Sequence, residues 1–220
     1  MTSDGHATSA ARSFLHCEGA LPCPAGTSPY RVKGEFWRQM AGVISHHDDK
    51  TNGGVTRVLE REGLAEFATR SFLTSSLYDV LPMPRVVMAV AEVRSRDLRE
   101  LTAKMGRASA ESQMSGVYGN LMRAVTPDNF AARFGSTITY FYDFVPLSGE
   151  DLPGGGARLF CGGVPLCVAE WWSIVTGQFV DVLLTGQGAS RVEVDWRIAP
   201  TGVERGVPCG TVTGDVRWTA

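Results

Sequence analysis

The sequence predicts an α+β fold in which a helical layer packs on a small antiparallel sheet. Three observations carry that expectation. From Cys167 to Leu184, Val168, Trp171, Trp172, Val175, Phe179, Val182 and Leu183 make one broad apolar helix face. After it, Arg191 to Ile198 and Gly210 to Trp218 alternate polar and apolar, as a C-terminal antiparallel β-pair with one wet face requires. Before it, apolar residues recur at helical intervals over most of the stretch between residues 30 and 140.

Residues 1 to 29 are rich in Gly, Ala, Ser, Thr and Pro, with Phe14 and Leu15 the bulky exceptions and Cys17 and Cys23 among turn formers. They read as a flexible N-terminal tail, and residues 30 to 220 as a single domain. Val32, Phe36, Trp37, Met40, Val43 and Ile44 fit one side of a helix, or a short strand leading into one. His46 to Gly54 is polar and reads as a turn, after which Val55, Val58, Leu59, Leu64 and Phe67 resume helical spacing, interrupted at Gly63. Pro82 and Pro84 open a helix through Val93, because a first turn has no internal use for their missing N–H groups. A long helix is expected from Asp97 towards Val125, and Thr126-Pro127-Asp128 starts the next. Tyr140 to Val145 and Ala157 to Cys161 are strand-like on either side of a Gly-rich loop from Ser148 to Gly156, which suggests a hairpin.

Bulk composition narrows the function classes. With 44% hydrophobic and 20% charged residues the chain has ordinary globular usage and enough length for a real core. A net charge of −2 supplies no basic field for nucleic acid or anionic lipid. No run reads as a membrane span or a secretory leader, and five cysteines, odd and sparse, suit a reducing compartment. The expectation is a cytoplasmic protein with no membrane or nucleic-acid partner.

The stretches Val32-Lys33-Gly34-x-Phe36, Gly106 to Glu111 continuing to Gly116-Val117-Tyr118, the helix end near Gly177, and Gly206-x-x-Cys209 with Val216-Arg217-Trp218 resemble a family of myxobacterial paralogues of unknown function. The likeness spans residues 31 to 218. That family is in turn similar to a ligand-binding group containing four-vinyl-reductase domains, haem-dependent nitric-oxide sensors and vesicle-tethering subunits. The resemblance implies an apolar pocket or dimer surface between helices and sheet, frequently without catalysis. Two departures stand out. Trp196 occupies a position where the zinc-holding relatives would have a cysteine, and no histidine follows His47, whereas haem sensors use a proximal histidine on a helix. The expectation is therefore no resident cofactor, with zinc as the alternative.

Several residues carry candidate chemistry. Cys161, Cys167 and Cys209, with Glu170 or Glu193, are types that hold tetrahedral zinc, but Cys-x5-Cys is no zinc knuckle and separate burial is the simpler reading. His46-His47-Asp48-Asp49 combines imidazoles and carboxylates, yet neighbours in a Gly-flanked turn diverge, so a solvated turn is expected. No nucleophile elbow, phosphate loop or dinucleotide fingerprint is present, and Gly154-Gly155-Gly156 reads as a plain loop. All four histidines lie within the first 47 residues, which argues against triad chemistry later in the chain. Arg107 and Glu111, four apart, pair on a helix face or grip an anionic ligand. Trp171 and Trp172 lie about 100° apart around a helix, so one is core and the other faces a cavity or subunit contact.

These readings converge on a non-enzymatic small-molecule-binding or signalling domain. Its expected ligand pocket is apolar and lined by Met114, Tyr118, Trp171, Trp172 and Phe179, with Arg107 and Glu111 as polar candidates. Two alternatives accompany it. One is a homodimeric or complex-forming scaffold that uses the small residues from Gly106 to Gly116; the other is a zinc-containing sensor.

Overall fold

The structure is a computed structural model that describes residues 20–153 and 155–219. Strand β1 (Arg31–Lys33) pairs antiparallel with β2 (Leu77–Asp79) and runs straight into helix α1 (Gly34–Thr51), which buries Phe36, Trp37, Met40 and Ile44 along one side. Asn52 ends α1 in the left-handed conformation at φ 51°. Helix α2 (Gly54–Arg61) starts almost at once, because the Asp48 carboxylate accepts from the Val55 and Thr56 N–H groups at 2.8 and 3.1 Å. Gly63, at φ 69°, separates it from the short α3 (Ala65–Thr69).

Helix α4 (Met83–Arg94) carries a proline in its first turn and stops at Ser95, which is left-handed at φ 48°. Helix α5 (Leu98–Ser115) begins where Asp97 accepts from Glu100 N–H at 2.8 Å. It ends well short of the expected limit at Val125, and α6 (Gly119–Arg123) follows as a separate turn. The chain doubles back there: Arg123 donates to the Met114 carbonyl at 2.9 Å, and a Cβ at Gly119 would stand 2.5 Å from that same oxygen. A 3-10 turn over Pro127–Asn129, with Thr126 N–H bonded to Asn129 Oδ1 at 2.8 Å, leads into α7 (Phe130–Thr139).

The main sheet has the order β3-β4-β6-β5, all neighbours antiparallel, from β3 (Leu147–Asp151), β4 (Ala157–Pro165), β5 (Ser190–Glu204) and β6 (Val207–Thr219). Between β4 and β5 runs α8 (Leu166–Gly186), the centre of the fold. By length and composition α8 would pass for a membrane span, contrary to expectation, but 72% of its most apolar window is buried inside the protein. Its sheet-facing side interlocks with β5 and β6. The Trp172 ring lies 5.8 Å from the Trp196 ring, and Trp196 covers its cross-strand partner Gly214, where a Cβ would be 2.3 Å from the indole. Only glycine leaves room for that tryptophan, so this contact between α8 and the sheet depends on one absent methyl group. The predicted fold class stands: helices on one side, a small antiparallel sheet with the C-terminal β-pair on the other.

One boundary moves. Residues 20–29, expected in the tail, are fastened to the domain: Gly26 N–H and Ser28 Oγ donate to the Asp79 carboxylate at 2.8 and 2.6 Å, and Leu21 and Cys23 pack against the core. The rest of the expected tail, with Phe14, Leu15 and Cys17, lies outside the described residues, as does Gly154. β5 forms one margin of the sheet, and its Arg191, Glu193, Asp195 and Arg197 are exposed.

Candidate functional site

On α1, the residues Phe36, Met40, Val43 and His47 follow helical spacing along one stripe, and that stripe faces α5 across a cavity of about 480 Å³. Leu101, Met105 and Ser109 supply the α5 wall, Trp171 and Val175 the α8 wall, and Met83 a contribution from α4. The size falls within the range of small-molecule sites. Around the mouth stand His46, Arg94, Arg96 and Lys104. No Asp or Glu occurs among the described residues that line the cavity.

His47 is the chemically distinctive wall. Its Nδ1 is buried without a hydrogen-bond partner. Burial pushes its pKa below the ordinary histidine value, and the charges of Arg94, His46 and Lys50 push it the same way, against a smaller opposing effect from Asp48. The imidazole is therefore held neutral at pH 7, the form in which histidine ligates metals. His46 is exposed, with Nε2 2.9 Å from Lys50 Nζ and its ring 5.3 Å from that of His47. Ser109 Oγ is a second buried polar atom without a partner on this surface.

The expectation of a solvated turn at this point is corrected. His46 to Asp49 belongs to the last turns of α1, because Asp48 caps α2 and so lets the helix run on to Thr51. The missed signal was periodicity: Met40, Val43 and His47 continue the apolar stripe at intervals of three and four.

Of the five predicted pocket residues, Trp171 lines the cavity. Trp172 and Phe179 face the packed interior, where Phe179 lies 6.0 Å from Phe36 and 6.4 Å from Phe141, ring to ring. Tyr118 stacks edge-on against Tyr140 and Phe141 at 5.3 and 5.2 Å, and Met114 sits half-buried at the far end of α5, near Gly186. Of the tryptophan pair, Trp172 is packed in the core and Trp171 borders the cavity. Arg107 joins Glu111 at 3.2 Å and Asp181 at 2.5 Å, a surface clasp between α5 and α8 outside the cavity lining.

The zinc reading finds no ligand cluster: among the described residues no group of three or more His, Cys, Asp or Glu is placed to hold a metal ion. Cys161, Cys167 and Cys209 are buried, reduced cysteines on β4, α8 and β6. Burial pushes the Cys161 thiol up to about 12, and Cys209 Sγ sits 3.2 Å from the Tyr30 hydroxyl. The small residues of α5 serve contact within the chain, since a Cβ at Gly106 would lie 3.0 Å from Val175 Cα of α8.

No protein-family model matches the chain, and no curated protein matches it. Solved structures do. A point mutant of the H-NOX domain from T. tengcongensis superposes with TM-score 0.57 at 12% identity, covering 86% of this chain and 98% of its own. A Cs H-NOX mutant bearing 4-cyano-L-phenylalanine gives 0.57 at 11% identity, covering 86% and 97%. An oxygen-binding H-NOX domain related to soluble guanylate cyclases gives 0.54 at 10% identity, covering 85% and 93%. The chain has the H-NOX fold. Two further neighbours are an H-NOX structure concerned with haem distortion and a structure concerned with haem redox potential. The expectation of no resident cofactor is corrected on that account. It rested on the missing late histidine, whereas the structures that share this fold are haem domains and the cavity between α1, α5 and α8 presents a neutral imidazole from an early helix.

Proposed function

We propose that this chain is a non-catalytic sensor domain whose cavity between α1, α5 and α8 takes up a small molecule. The observation that carries the reading is His47, whose neutral ring has a buried, unpartnered nitrogen in the wall of a cavity with an apolar floor. A buried polar atom left without a partner costs stability, so its retention points to use.

Haem is the first ligand to test, and the residues fit it. His47 could hold the iron through its imidazole, and Met40, Met105 and Trp171 would supply apolar walls. Bound haem supplies an iron that takes a diatomic gas, the ligand class named for the oxygen-binding relative. Reduced cysteines and the stretches quoted earlier support a cytoplasmic location and grouping with the myxobacterial paralogues.

The experiment is haem titration of the purified chain followed by absorption spectroscopy. A saturable one-to-one Soret shift that His47→Ala abolishes is expected. Identical spectra for wild type and His47→Ala would remove His47 from the role. Absence of haem uptake, together with no rise in melting temperature across a library of apolar and amphiphilic compounds, would end the sensor reading.

A further inference from the structure

The charged side chains at the mouth of the cavity have a feature that the proposed function does not use. Arg94, Arg96 and Lys104 make no ion pair and no side-chain hydrogen bond among the described residues, although the chain as a whole carries more acids than bases. Several other arginines of the fold are ion-paired: Arg61 holds Glu92, Arg85 holds Glu62, Arg99 holds Glu170, Arg107 holds Asp181 and Arg158 holds Asp215.

Local structure keeps this cluster uncompensated. Arg94 closes α4, Ser95 takes the left-handed turn, and Arg96 emerges on the other side of it, so two guanidinium groups flank one tight reversal. Of the acids nearest in sequence, Glu92 pairs with Arg61 and Asp97 accepts from the Glu100 N–H, while the exposed Glu100 carboxylate, four residues from both Arg96 and Lys104, is bonded to neither. Lys104 approaches from the second turn of α5, whose neighbouring Leu101 and Met105 form the apolar floor. The Arg94 charge also disfavours protonation of His47 in the same cavity wall. Like charges gathered without counter-charges repel one another, and an arriving anion relieves that cost while a neutral ligand does not.

We propose that this cavity selects amphiphiles with an acidic headgroup, a carboxylate or a phosphate seated among Arg94, Arg96 and Lys104 with the apolar body against Met40, Met105 and Trp171. The assignment rests on the cavity being a ligand site, as proposed above, and adds the chemical class of the ligand. Guanidinium groups suit either planar carboxylate or tetrahedral phosphate oxygens, and the ammonium adds a point charge.

The test compares decanoate, decyl phosphate and decanol, by isothermal titration calorimetry on the full chain at pH 8 in low salt. Decanoate or decyl phosphate is expected to bind at least about tenfold more tightly than decanol, and the preferred one of the two identifies the headgroup. The triple variant Arg94→Gln, Arg96→Gln, Lys104→Gln should lose that margin while its decanol affinity stays unchanged, and salt at about 0.3 M should shrink the margin in wild type. Circular dichroism melts confirm that the variant is folded; should it not be, the single Lys104→Gln substitution on the exposed face of α5 replaces it with a smaller loss expected. Equal affinity for decanol and both anions, or an equal loss of all three in the variant, would overturn the acidic-headgroup assignment while leaving the cavity as a ligand site. Failure of every probe, decanol included, would instead count against the cavity itself and remove the assignment with it.

Discussion

The two sides of α8 are built from similar residues and behave differently. Towards the sheet, Trp172 is fully buried and meets Trp196, which itself fits over Gly214 with no space for another carbon. Towards α1 and α5, the adjacent Trp171 borders a cavity of about 480 Å³. One side is close-packed as protein interiors are; the other gives up contact that a few larger side chains would restore. Burial alone therefore does not mark a structural residue: both indoles are nearly inaccessible, and only what lies beyond them separates a core role from a binding role.

Truncation of each tryptophan measures the contrast directly. Trp172→Ala removes packing on all sides and should cost about 3–5 kcal/mol in urea unfolding, the largest effect expected. Trp171→Ala opens into space that already exists, so only the transfer contribution remains, about 2 kcal/mol, with ligand affinity lost as well. Equal losses would show that the cavity closes around Trp171 in solution and would blur the distinction.

A smaller effect tests the cavity's polar wall. The folded chain holds the pKa of His47 below 6.5, its ordinary value in an unfolded chain. Between those two values the unfolded state binds more protons, so stability should fall as the pH drops below 6.5 and level off once the folded ring protonates too. His47→Gln should flatten that segment of the stability curve and leave the region above about pH 7 unchanged. A wild-type curve that is already flat from about pH 7 to 5 would mean that the ring is better solvated than its surroundings suggest.

Most of the architecture was legible because it follows from periodicity. The α8 stripe, the alternating β5 and β6 and the proline-led α4 each depend on residues close in sequence, and each lies within a few positions of expectation. What escaped was set by contacts at a distance. The end of α5 is fixed by Arg123 reaching back to Met114, and the last turn of α1 by Asp48 holding the next helix, neither of which shows in a hydrophobic pattern. The site was only partly readable for the same reason. Trp171 could be nominated from α8 alone, but its partners Met40, His47 and Met105 come from helices whose mutual placement no local spacing encodes. Phe179, Met114 and Tyr118 have the same apolar character and fill other contacts.

The margin of the sheet formed by β5 has a consequence for how these molecules behave in a crowd. An outermost strand of 15 residues leaves a row of peptide groups open to a neighbouring chain, the usual start of uncontrolled fibre growth. Here Arg191, Glu193, Asp195 and Arg197 mark every second position with a hydrated charge, so an incoming strand would have to strip water from each before a single ladder bond formed. The same alternation that turns Val192, Val194, Trp196 and Ile198 towards α8 thus guards the protein against polymerising with itself.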